Sequence, residues 1–83
     1  MKITHVIADT GADAIKAVCY VRGFRHVRQL AELMAGPGKA SRVESYLAKI
    51  LNPNGKVKGS EAFRLRVLAH MPEGVVVDEE EAT

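Results

Sequence analysis

The sequence predicts a mainly α domain, a four-helix helix-turn-helix domain with short N- and C-terminal β-strands. Three observations predict it. Apolar residues recur at helical spacing in Val27, Leu30, Ala31 and Met34, and again through Val43, Tyr46, Leu47, Ile50 and Leu51. A Gly36-Pro37-Gly38 break separates these two stripes. Short runs rich in β-branched residues stand near the two ends of the chain, in 2–7 and 75–78.

Taken in order, residues 2–7 alternate loosely and read as a short strand. Thr10 then opens a helix over about 11–22, with Asp13 three residues on as in a capping box, and Ala12, Ile15, Val18, Cys19 and Arg22 on one stripe. Gly23 ends it, because glycine alone turns left-handed without steric cost. The second helix covers 26–35. Ser41 and Glu44 form an S-x-x-E capping box for a third helix over about 42–51, which Asn52-Pro53-Asn54-Gly55 stops. Lys56-Val57-Lys58-Gly59 reads as an exposed basic loop. Ser60 caps a fourth helix over about 61–71, ending before Pro72-Glu73-Gly74. Phe63 to Val67 also alternates as a strand does; the good helix formers and the placement of Ser60 favour the helix. Val75–Asp78 reads as a strand paired with residues 2–7. The whole chain, 1–83, reads as a single domain with its core in 10–71 and a frayed acidic tail at 79–83.

Composition narrows the class. The chain is 47% hydrophobic and 27% charged, which is ordinary for a folded domain. Cys19 is the single cysteine, so no intramolecular disulfide can form. There is no signal peptide pattern and no apolar run of the ~20 residues that span a bilayer, so the expected place is the cytoplasm, with no membrane partner. The net charge of +2 conceals an asymmetry. Asp78, Glu79, Glu80 and Glu81 gather four of the ten acids, which leaves residues 1–77 at +6. A basic body with an acidic tail points to a polyanion partner.

The third helix gives that partner a shape. Val43, Leu47, Ile50 and Leu51 pack inward, while Ser41, Arg42, Ser45 and Lys49 project from the opposite side and Ala48 keeps it slim. A recognition helix in the major groove of double-stranded DNA needs such a pair of faces. Ser41, Arg42, Ser45 and Lys49 are therefore the expected base contacts; a guanidinium can grip guanine O6 and N7 in a two-pronged geometry. Arg25, Arg28, Lys39, Lys56 and Lys58 are the expected phosphate contacts, the first two at a helix start whose free amides also favour an anion.

Gln29 to Met34, the turn, Ser41-Arg42-Val43, Leu47 to Asn52 and then Ala62 to Met71 together resemble the Cro and phage-repressor class of helix-turn-helix proteins, over roughly residues 14–71. Ala31 stands where that class puts a small residue between its two helices. The turn departs from it: the class uses a short turn with one glycine, and residues 35–40 read as several residues longer. The resemblance implies a small transcription regulator of phage or mobile-element type, a repressor or activator. We expect a homodimer with its interface at the terminal strands or the last helix.

Other chemistries lack their residues. A Walker loop would need glycine at 33 and a hydroxyl at 40, where leucine and alanine stand. His5, His26, His70 and Cys19 have no metal-ligand spacing. Cys19 near His26 lies on an apolar stripe, which favours an inert thiol over a nucleophile. No carboxylate pair sits in an apolar setting, so no catalytic residue, cofactor, metal or small-molecule substrate is expected. The competing reading is a protein-interaction module, such as a phage inhibitor or an antitoxin-like partner. RNA binding is weaker, since no aromatic residues interleave the basic ones.

Overall fold

The computed structural model describes residues 4–78. Its order is β1 (Thr4–Ile7), α1 (Gly11–Arg22), α2 (Val27–Ala35), α3 (Ala40–Leu51), α4 (Glu61–Leu68) and β2 (Val75–Asp78). The protein is mainly α, with four helices and a short strand at each end. The two strands pair in parallel, Thr4 opposite Val75 and Ile7 opposite Asp78. The first part of the expected 2–7 strand and the acidic tail at 79–83 lie outside the described residues.

Local chemistry explains most of the boundaries. The Thr10 hydroxyl accepts from the Asp13 amide at 3.1 Å and starts α1; Gly23, at φ 72°, ends it. The Ser60 hydroxyl likewise accepts from the Phe63 amide at 3.1 Å and starts α4, so 61–68 is helix and not strand. That helix stops at Leu68, three residues before the expected end. His70 and Met71 donate to the carbonyls of Val67 and Leu68, closing the last turn tightly. At α2, His26 is the cap and not the first helical residue, and the Gln29 side chain reaches back to accept from the amides of Arg25 at 2.6 Å and His26 at 3.1 Å.

The third helix corrects the reading most. It begins at Ala40, two residues earlier than expected, so Ser41 lies inside it and forms no capping box. Lys39 takes the cap position without a side-chain hydrogen bond. Ala40 is fully buried, and that burial outweighs the local cap signal at Ser41. The connection from α2 is consequently only residues 36–39. Gly36 at φ 84° and Gly38 at φ 83° turn it in a conformation that side chains disfavour. The turn is therefore four residues long, shorter than the 35–40 connection expected.

The core runs through all four helices. Ile15 and Val18 of α1, Leu30 and Ala31 of α2, Leu47 of α3 and Val67 of α4 are fully buried. Val27, Met34, Val43, Tyr46 and Leu51 pack around them, partly covered. The stripes read from spacing in α2 and α3 are the buried or partly covered ones; that of α1 holds except at Arg22, which is exposed. Ala14 and Ala40 are fully buried additions that their small size had hidden.

Candidate nucleic-acid interface

The outward face of α3 is set by the burial of its inner one. With Ala40, Leu47 and Ile50 in the core, the 100° step of the helix turns Ser41, Arg42, Ser45, Ala48 and Lys49 to solvent, and all five are exposed. Ser41, Arg42, Ser45 and Lys49, with Tyr46, line one open depression of about 420 Å³. Lys39, Gly38, Ser41 and Arg42 line another of about 450 Å³ at the start of the helix. The structure thus gathers the four expected base contacts and Lys39 into one continuous strip.

The electrostatics of the strip are simple. Among the described residues, Lys39, Arg42 and Lys49 have no acidic partner. Among the described residues no side chain caps the N-terminus of α3 beside Lys39. Such a terminus carries partial positive charge and favours an anion.

The other expected phosphate contacts are distributed unevenly. Arg25 is exposed near the start of α2, but the amides expected there to favour an anion are partly taken: Gln29 accepts from those of Arg25 and His26. Arg28 is held between two carboxylates, donating to Glu32 at 3.2 Å and to Glu44 at 3.3 Å. These bonds push its pKa up from the ordinary value, that to Glu32 most. Lys56 follows a turn folded against the end of α3; a Cβ at Gly55 would lie 3.1 Å from the carbonyl oxygen of Lys49. Lys58 is exposed too, but lines a separate cavity of about 400 Å³ with Gly11, Ile50 and Ser60.

Two positions escaped the sequence. Glu44, read as part of a cap, is instead the partner of Arg28 across the α2–α3 contact. Gln29, given no structural role by the sequence, ties down the entry to α2. The i, i+4 spacing of Arg28 and Glu32 was legible; the link to Glu44 needs the tertiary approach of two helices.

Cys19 is half-buried against the core, and burial pushes its thiol up from the usual range. Among the described residues no group of three or more His, Cys, Asp or Glu is placed to hold a metal ion, and no helix is long and apolar enough to cross a membrane.

The chain matches no protein-family model, no curated protein and no solved structure.

Proposed function

We propose that the protein is a sequence-specific, double-stranded DNA-binding transcription regulator of phage or mobile-element type, and that it carries out no catalysis. It acts in the cytoplasm as a homodimer, without cofactor, metal, membrane or small-molecule substrate. Helix α3 enters the major groove. Arg42 reads a base edge from its first turn, Ser41 and Ser45 add adaptable hydrogen bonds, and Lys49 reaches the groove further along. Lys39 and the N-terminus of α3 beside it hold a phosphate, and Arg25, Lys56 and Lys58 add further backbone contacts.

One observation carries this reading: a helix that seals the core on one side presents, on the other, small hydroxyls and cations without an acidic partner among the described residues, straight after a four-residue turn. Size agrees with it. The described fold spans 35 × 32 × 21 Å, so two copies side by side stand on the scale of the ~34 Å between successive major-groove faces.

The test is binding to a random pool of duplex DNA, followed by titration of the selected duplex at several salt concentrations. Specific binding with a steeply negative salt slope is expected, from release of condensed counterions. Arg42→Ala should cost about 1–3 kcal/mol and relax the preference at one base position. Lys56→Ala with Lys58→Ala should weaken all duplexes alike. If no duplex is enriched and affinity is negligible at moderate salt, the reading fails and capture of a protein partner becomes the better account.

A further inference from the structure

Helix α4 is apolar on two sides, and the described residues cover only one. Val67 is fully buried, and Phe63 packs edge-on against Tyr46 of α3 with ring centroids 4.7 Å apart. Away from them lie Ala62, Leu65 and Ala69, all exposed, with Leu65 54% accessible. One exposed leucine is unremarkable in itself. The order of residues around this one is not.

Ala62, Leu65 and Ala69 occupy the a, d and a positions of a heptad, and Glu61 and Arg66 fall at the flanking g and e positions. Phe63, Arg64 and Val67 fall at b, c and f, the side that faces the protein's own core. When two such helices lie parallel about a two-fold axis, g of one stands beside e of the other, five residues further on. Glu61 then faces the partner's Arg66 on both flanks. Two such pairs form, and the strip is complementary to itself, as a two-fold interface requires.

Arg66 is available for such a pair, and Glu61 keeps acceptor capacity for it. Arg66 is exposed and has no acidic partner among the described residues. It cannot meet Glu61 within its own helix, since five residues separate them by about 140°. Glu61 is already held by Arg64, which also donates to the carbonyl of Ala8 at 2.7 Å. That bond orients the carboxylate and leaves lone pairs for a second guanidinium. Arg64 keeps the Glu61 pKa below the usual carboxylate range, so the group stays charged.

We propose that α4 is the seam of a parallel, two-fold homodimer, with Leu65 at its centre and Glu61–Arg66 pairs on its flanks. The inference deepens the dimeric part of the function proposed above and rests on it only for its biological purpose. Two helical turns make a small seam against the ~800 Å² per partner of a standard interface. Association of the free protein is therefore weak and concentration-dependent.

The test is sedimentation equilibrium of the full chain without DNA, alongside thermal melting. The wild type should self-associate reversibly. Leu65→Asp should raise the dissociation constant at least about tenfold with the melting curve little changed. Arg66→Glu should weaken association too, more at low salt than at high, while Arg66→Lys stays close to wild type. A wild type that is monomeric at about 1 mM overturns the proposal. So does a Leu65→Asp variant that associates as the wild type does, which would move the seam elsewhere. Neither result touches DNA binding by a single protomer, which the duplex titration measures separately.

Discussion

The Arg28 guanidinium on α2 donates to the Glu44 carboxylate on α3 at 3.3 Å while its Nε holds Glu32 of its own helix at 3.2 Å. This arginine bridges α2 and α3, and it restrains the rotation of α3 about its axis. A phosphate competing for it would have to displace two carboxylates. Arg28→Gln is therefore expected to leave the slope of log affinity against log salt near the wild-type value, whereas Lys39→Gln should reduce that slope by about one contact. Equal loss of slope in both variants would return Arg28 to the phosphate contacts.

Leu47 anchors the inner face of the same helix and is fully buried. Truncation leaves a cavity that close-packed neighbours fill only in part. Leu47→Ala should lower the unfolding free energy by about 2–5 kcal/mol in denaturant titration. Wild-type stability in that variant would mean that α3 is rotated from the position described.

Gly11 begins α1 where the chain passes close to the basic loop. A Cβ there would sit 2.7 Å from the carbonyl oxygen of Lys58, which is backbone and cannot swing aside. Alanine is the better helix former by ~1 kcal/mol, yet Gly11→Ala should destabilise by roughly 1–3 kcal/mol, because the overpacking wins. Calorimetry decides the sign. A stabilised variant would show that the 52–60 loop yields without cost.

The Glu61–Arg64 pair gives stability a pH dependence of known sign. The folded state holds the Glu61 pKa below its ordinary value, chiefly through the hydrogen bonds from Arg64. The unfolded chain therefore takes up the proton first as pH falls. The stability advantage of the wild type over Glu61→Gln should be present above the ordinary glutamate range and vanish as pH drops below it. Melting temperatures of the two proteins across the acid range measure this. A difference that persists below that range would assign the effect to packing and not to charge.

The helices were legible because each carries its own instructions. Thr10 and Ser60 announce helix starts by hydroxyl chemistry that acts within three residues. The stripes through Leu30 and Leu47 announce the buried faces by period alone. The exposed strip of Ser41, Arg42, Ser45 and Lys49 followed from the same period, since the side opposite a buried stripe faces solvent. Where two local signals competed, the reading went astray. Ser41 and Glu44 make a sound capping box, yet burying Ala40 carries α3 back past it, and the long turn read between 35 and 40 shrank to four residues with that shift.

The sequence by itself determined the number of helices, the inner faces of α2 and α3 and the excess of positive charge, because spacing, capping and composition act over a few neighbouring residues. Only the tertiary structure decided that the end strands run parallel, that Arg28 is clasped by Glu44, and that the described residues leave the outer side of α4 uncovered. Those outcomes depend on which segments approach one another, through burial shared by residues far apart in the chain. No stretch of a dozen residues contains that information.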